Sequence, residues 1–364
     1  MTIKDITYYL ETIAPLAFQE SYDNAGLITG NPDWECTGAL LTLDSLEATV
    51  EEAIAKNCNL IIAHHPIVFR GLKKINGKNY VERTIIKAIK NDVAIYASHT
   101  NLDNVHTGVS KRICDQLGLV NTKILAPKSN LLKKLIAFCP HNKAAEVREA
   151  IFTAGGGVIS NYDQCSFNQE GTGTFRGGEQ TNPYVGKKGE LHYEPETKIE
   201  VVFPAHLERQ IVSKMIQVHP YEEVAYDLVS ITNKHSLVGS GMYGELETPM
   251  AAMDFLQHIK LKMKAKMLRY TTLLDKPIKR VAVCGGAGSF LLGAAKGVKA
   301  DIFVTADYKY HEFFDADNQL VIADIGHYES EQYTIELFGE IIRKKFANFA
   351  VYLTDINTNP VNYL

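Results

Sequence analysis

No two of the six cysteines stand at C-x-x-C spacing; Cys36, Cys58, Cys114, Cys139, Cys165 and Cys284 are scattered along the chain. Free thiols in a reducing compartment are expected from that distribution. No apolar run approaches the roughly 18 residues of a membrane span. The N-terminal stretch Met1-Thr2-Ile3-Lys4-Asp5-Ile6 is charged early and reads as an amphipathic helix, so no signal peptide is expected. A basic stripe is also missing: the net charge of -4 is spread along the chain, which argues against a nucleic-acid partner. No internal repeat is clear enough to establish duplication. A cytoplasmic protein follows from these absences, with no membrane partner. What remains is 364 residues, 46% hydrophobic and 22% charged, ordinary for a soluble protein of two domains.

Residues 1–126 alternate helical and strand patterns. Ile3 to Ala14, Leu46 to Asn57, Val81 to Asn91 and Val109 to Leu117 read as helices; Gly38 to Leu43, Leu60 to Ala63 and Ala94 to Ser98 read as buried strands. Thr2 and Ser45 are expected N-caps and Gly118 a C-cap. Residues 127–235 change character, with strand, helix and strand material, a Gly-rich polar stretch from Asn168 to Gly189, and then strand, helix and strand again. That is the split β-α-β signature of a ferredoxin-like α+β domain. The α/β rhythm then resumes through Arg280 to Cys284, Ile302 to Thr305 and Leu320 to Asp324. The expectation is one α/β domain from residues 1–126 and 236–364, built on an open, mostly parallel sheet, with residues 127–235 inserted.

Chemistry gathers where these strands end. His64 and His65 follow Leu60-Ile61-Ile62-Ala63, and neighbouring side chains on an extended backbone point to opposite sides. Two such imidazoles are badly placed for one ion and well placed for two; the plainer reading is one surface and one core histidine. Ser98-His99-Thr100-Asn101-Leu102-Asp103 follows the next strand. Gly326-His327-Tyr328-Glu329-Ser330-Glu331 follows Leu320 to Asp324, and on a helix the four-residue spacing puts His327 and Glu331 on one face. His64, His65, Asp103, His327 and Glu331 together supply three imidazoles and two carboxylates at strand ends, where open α/β sheets bind ligands. A carboxylate can bridge two ions where a neutral imidazole cannot, so Glu331 or Asp103 is the expected bridge.

Tyr22-Asp23-Asn24-Ala25-Gly26-Leu27, Ala63-His64-His65-Pro66, His99-Thr100-Asn101-Leu102-Asp103 and Gly326 to Glu331 together resemble the GTP cyclohydrolase I type 2 homologues, the Nif-three-like dinuclear metal proteins. The likeness extends through the insert, including His219-Pro220-Tyr221-Glu222-Glu223, where the long bacterial members carry a PII/CutA-like module. The resemblance implies two divalent ions per subunit (zinc, iron or manganese) on His64, His65, Asp103, His327 and Glu331. It also implies a toroidal homohexamer, and a hydrolase in which metal-activated water opens the guanine imidazole ring of GTP. His99 is the expected catalytic proton shuttle, with a second reading as a partner that orients Asp103. A metal carrier or assembly protein, or a metallophosphoesterase, would use the same five ligands.

Other segments carry weaker signals. Cys284-Gly285-Gly286-Ala287-Gly288-Ser289 lacks both G-x-G-x-x-G and a Walker lysine, and a tight turn is favoured over a phosphate loop. Asp307, Tyr308, His311 and Glu312 open onto the expected crevice as substrate contacts or as a solvated helical turn. Asp23 and Asn24 are substrate contacts or turn chemistry. The proline after His219 removes helical ligand spacing there, leaving a turn or subunit contact.

Overall fold

A computed structural model describes residues 1–364. The chain forms two compact units, one of Met1–Ala126 with Leu237–Leu364, the other of Pro127–Ser236.

In the first unit, local rules set the elements. Thr2 caps the helix Ile3–Ile13: its hydroxyl accepts from Asp5 N at 3.3 Å while Asp5 Oδ2 accepts from Thr2 N at 2.8 Å, a reciprocal capping box. Ile3, Ile6 and Leu10, at helical spacing, are the buried face. Ser45 does not cap the helix Glu47–Ala55. Leu46 holds the cap position, and its N–H is satisfied by the Thr49 hydroxyl at 2.8 Å. Gly118 stands just past Gln116 and Leu117 with φ +71°, the left-handed turn that glycine permits.

The strands Ala39–Thr42, Leu60–Ala63 and Ala94–Ala97 are buried at every residue and pair in parallel. Short, wholly apolar runs are what a sheet covered on both faces requires. Val351–Leu353 adds to this sheet in parallel beside Ala39–Thr42, and Gly26–Thr29 closes the other edge antiparallel to Ala94–Ala97.

The expected single sheet is two. A second, six-stranded sheet runs in the order Arg269–Tyr270, Val321–Asp324, Ile302–Ala306, Ile278–Ala287, Gly239–Met250 and Val120–Pro127. Its three central strands, Ile278–Ala287, Ile302–Ala306 and Val321–Asp324, are parallel. Periodicity identifies a buried strand but not its neighbour, and Ile302–Ala306 and Val321–Asp324 are as short and buried as the central strands of the first sheet, so the sequence rhythm reads as continuous. Val120–Pro127, with a mixed burial pattern, pairs in the second sheet although it precedes the insert.

The second unit has four strands, Leu132–Pro140, Phe167–Arg176, Leu191–Pro204 and Tyr226–Ile231, in the spatial order second, third, first, fourth, all antiparallel. With the helices Ala144–Thr153 and Glu208–Val218 this is the split β-α-β arrangement twice over. Leu135, Val147, Ile151, Val201, Phe203, Ile211 and Met215 form its core. Phe167–Arg176 is almost wholly exposed and is held by a ten-residue ladder to Leu191–Glu200.

Candidate metal centre

Strand ends from both sheets of the first unit deliver its polar side chains to one place. Leu60–Ala63 ends at His64, which is fully buried, and the Nδ1–H of that imidazole donates to the Ser98 carbonyl at 2.9 Å. The tautomer is thereby fixed, and Nε2 carries the lone pair. It faces Asp103 Oδ1 at 3.6 Å and Glu331 Oε1 at 3.8 Å. Both distances are too long for hydrogen bonds. His64 Nε2 and Asp103 Oδ1 are buried and have no hydrogen-bond partner. Each such orphan costs about 1–3 kcal/mol unless something fills the gap.

His65 points the other way, as alternation along the extended backbone dictates. Its Nδ1–H donates to Asp44 Oδ1 at 2.8 Å, and its Nε2 lies 3.0 Å from Glu331 Oε2. The short helix His327–Glu331 supplies the third imidazole: Nδ1–H donates to Asp307 Oδ2 at 2.7 Å, and Nε2 lies 3.1 Å from Glu331 Oε2 and 3.3 Å from His65 Nε2. Glu331 is therefore shared, one oxygen toward His64 and the other toward His65 and His327. Ligand-type atoms of His64, His65 and Glu331 all lie within 4.8 Å of one another.

Electrostatics shows the same crowding. The Glu331 charge, opposed by burial and helped by Asp307, pushes His327 up to about 11. Burial works against His65, but Asp44 and Glu331 outweigh it and raise it to about 9. Asp103 is pushed up to about 7 by burial first and by Glu331 second, against the pull of His99 and His65. Glu331 is held well below the usual carboxylate range despite its burial, chiefly by His327. Without a cation, protons hold this cluster together.

Around the five residues stands a shell that sequence patterns only partly revealed. Asp44 was not among the expected site residues, although it follows the strand Ala39–Thr42 in the same way that the histidines follow theirs. Asp307, with φ +57°, holds His327, while the exposed His311 has its ring 5.2 Å from that of Tyr310 and 6.4 Å from that of Phe314. Asp23 takes a role that neither expected reading gave it. It accepts from His99 Nδ1–H at 2.8 Å and from Thr100 N at 3.0 Å, and these bonds overcome burial to hold its carboxyl at about 2. His99 thus pairs with Asp23, while its ring lies 5.4 and 5.5 Å from those of His64 and His65.

The turn after Val281-Ala282-Val283 is a wall of the site. A Cβ on Gly286, whose φ is +62°, would stand 2.5 Å from Glu331 Oε1 and 3.1 Å from His327 Cε1. Only glycine leaves room for both side chains. Burial, aided by Asp103 and Glu331, pushes the neighbouring Cys284 thiol well up, which keeps it protonated.

Three cavities meet at the cluster. One of about 220 Å³ is lined by Tyr22, His99, Asp103, Gly286, His327 and Glu331. Another of about 380 Å³ lies along His65, Asp307, His327, Arg269 and Tyr363. The third, about 840 Å³, runs past His65, Phe69, Arg70 and Tyr80. Asn359 and Pro360 line both larger cavities, and between Asn357 and Asn359 the Thr358 hydroxyl donates to Asp44 Oδ2 at 2.6 Å.

Known proteins resemble this chain over its whole length. A family model described as Duf34/NIF3 (NGG1p interacting factor 3) matches residues 1–360. A Bacillus subtilis protein named GTP cyclohydrolase 1 type 2 homolog is 36% identical over 367 residues, covering 99% of this chain and 98% of its own. A Staphylococcus epidermidis protein of the same name is 36% identical over 369 residues and 100% of both chains. Among solved structures, a Bacillus cereus protein related to NIF3 superposes with a TM-score of 0.87 at 36% identity, over 100% of this chain and 99% of its own. A Staphylococcus aureus protein gives 0.79 at 31% identity, with 100% and 99% covered. Likeness of that extent, from the first strand end to the last, settles the kinship: the chain belongs to the Duf34/NIF3 family.

Proposed function

We propose that His64, His65, Asp103, His327 and Glu331 hold two divalent metal ions, and that the centre serves a hydrolase resembling GTP cyclohydrolase 1 type 2. The observation that carries this reading is the pair of buried, unpartnered atoms, His64 Nε2 and Asp103 Oδ1, 3.6 Å apart and facing the shared Glu331 carboxylate. A hydrogen-bond network built for its own sake would not leave them unsatisfied. Mixed nitrogen and oxygen donors suit zinc, iron or manganese.

Bound there, divalent ions would supply Lewis acidity, activating a water and steadying the negative charge that develops on an opened ring. The protein's own share is orientation. Ser98 O, Asp44 and Asp307 each take one Nδ1–H, which turns the Nε2 lone pairs of His64, His65 and His327 inward. Glu331, with one oxygen toward His64 and the other toward His65 and His327, would be the carboxylate shared by the two ions. His99, anchored at Nδ1 by Asp23, lines the smallest cavity and is positioned to pass a proton to a leaving ring nitrogen. The larger cavities are of the size that takes a nucleotide-like substrate. The inserted unit is read as a PII/CutA-like module that makes trimer contacts within a toroidal homohexamer, and the protein as cytoplasmic. A metal carrier, or a phosphoesterase using the same ligands, is the alternative.

Metal content per chain decides the first step, measured on wild type and Glu331→Ala with a thermal melt confirming that both are folded. About two ions in wild type and a sharp loss in the variant are expected; a wild type that takes up no zinc, iron or manganese overturns the centre. GTP turnover that needs metal and is lost in His99→Ala with metal retained supports the hydrolase. A full centre without turnover favours the carrier.

A further inference from the structure

The inserted unit has a cavity of its own, about 440 Å³, that the metal centre does not use. Its lining brings Phe138, Phe175, Tyr184 and Tyr221 together with the carboxylate of Glu196. Tyr221 lies 6.4 Å from Phe175 and 6.3 Å from Tyr184, ring centre to ring centre, with the planes tilted by 55° and 52°. Such rings form the corner of a box and do not stack. The Tyr221 hydroxyl donates to Glu196 Oε1 at 2.8 Å and so fixes the carboxylate. Gly173, on the neighbouring strand, has no Cβ, and any Cβ there would collide with Glu196 Oε2. The Glu196 carboxylate thus lies directly over the bare backbone of Gly173. Glu222 and Glu223 add two more carboxylates to the lining, against the single guanidinium of Arg176.

Aromatic faces attract cations through their quadrupole, and a fixed carboxylate among them adds direct charge pairing. An anionic ligand would be repelled by Glu196, and a neutral one would gain at most a hydrogen bond from it, without the charge pairing. A divalent metal ion would have to give up its water ligands to rings that offer it no oxygen or nitrogen donor. We infer that the inserted unit binds a small organic cation, an alkylated ammonium or a guanidinium, between the rings of Phe175, Tyr184 and Tyr221 and the carboxylate of Glu196.

The test is calorimetric titration of the full-length protein with choline, with agmatine, and with 3,3-dimethylbutan-1-ol, the uncharged counterpart of choline. At least one of the two cations is expected to bind with a sub-millimolar Kd, and the alcohol at least about tenfold more weakly. Tighter choline binding assigns an alkylated ammonium, and tighter agmatine binding assigns a guanidinium if butylamine, which has only agmatine's primary ammonium, binds more weakly. Glu196→Gln is expected to weaken the cation about tenfold or more. Phe175→Leu, which keeps an apolar side chain and removes only the ring, should weaken it too, so the result does not hang on one variant's folding. Metal content is expected to stay at the wild-type value in both. The inference is overturned if neither cation binds at about 10 mM, if the alcohol binds as well as the tighter of the two cations, or if both variants bind like wild type. Complete displacement of the cation by magnesium ions would also overturn it, in favour of an inorganic-cation site.

Discussion

Two histidine clusters in this chain have similar letters and opposite chemistry. His219-Pro220-Tyr221-Glu222-Glu223 in the inserted unit is as rich in ligand-type residues as Gly326 to Glu331. There, however, His219 spends both ring nitrogens on the backbone: Nε2–H donates to the Phe138 carbonyl at 3.0 Å, and Nδ1 accepts from Tyr221 N at 3.2 Å. His64 spends only Nδ1, and its Nε2 is left buried and unpaired beside Asp103 and Glu331. Spare lone pairs facing one another separate a metal centre from a well-satisfied turn; the count of histidines and acids does not.

The sharpest way to break the comparison is to delete one histidine from each cluster. His64→Ala should lower metal affinity by more than about 100-fold, beyond the 10–100-fold typical of outer partners. His219→Ala should leave metal content unchanged and cost about 1–3 kcal/mol of stability in the inserted unit. Metal titration and thermal melts on the two variants check this, and equal metal loss in both would end the distinction.

Protons sharpen it next. His65 and His327, raised to about 9 and about 11, keep their protons at neutral pH in the metal-free protein. Metal must displace them, so affinity should fall as pH falls, by up to about tenfold per unit for each proton released. Calorimetry in two buffers of different ionisation enthalpy counts those protons. The sign for stability runs the other way: His65, raised from 6.5 to about 9, stabilises the metal-free fold fully below pH 6.5, and that contribution is lost as pH climbs through 9. Chelated protein should therefore lose melting temperature over that window more steeply than loaded protein.

Smaller effects come from the outer partners. Asp44→Asn should weaken metal by about 10–100-fold, since a carboxamide can keep the His65 bond but loses the charge that strengthens it. Thr358→Val, one hydrogen bond further out, should cost less than about tenfold, with Thr358→Ser restoring the wild-type value. A Thr358→Val effect as large as that of Asp44→Asn would mean the segment does more than hold Asp44.

Sequence patterns made much of this legible because metal-type side chains mark strand ends, and buried four-residue strands announce themselves. His64 and His65 were readable from alternation, and His327 with Glu331 from helical spacing; the structure brings all of them together with Asp103. Illegible were the features set by the partner's position in space. Asp44 and Ser98 act through their distance to a ring, and the Ser98 contact is made by a backbone carbonyl that every residue possesses. Gly286 reads as a turn glycine until Glu331 is placed beside it. The division into two sheets escaped for the same reason: Gly26–Thr29 is only partly buried and Val351–Leu353 is three residues long, too little for any pattern to show where they pair.

Glu331 stands 266 residues after His65, and the two meet only when the second sheet is in place. At ordinary rates of synthesis, roughly 5–20 residues per second, the histidine pair is made roughly 13 to 53 seconds before its carboxylate. During that interval the growing chain offers imidazoles without the bridging acid, a poor trap for any ion. If the proposed centre binds metal, full affinity would arrive late and all at once, and the order of the chain would postpone the choice of metal until the fold is there to make it.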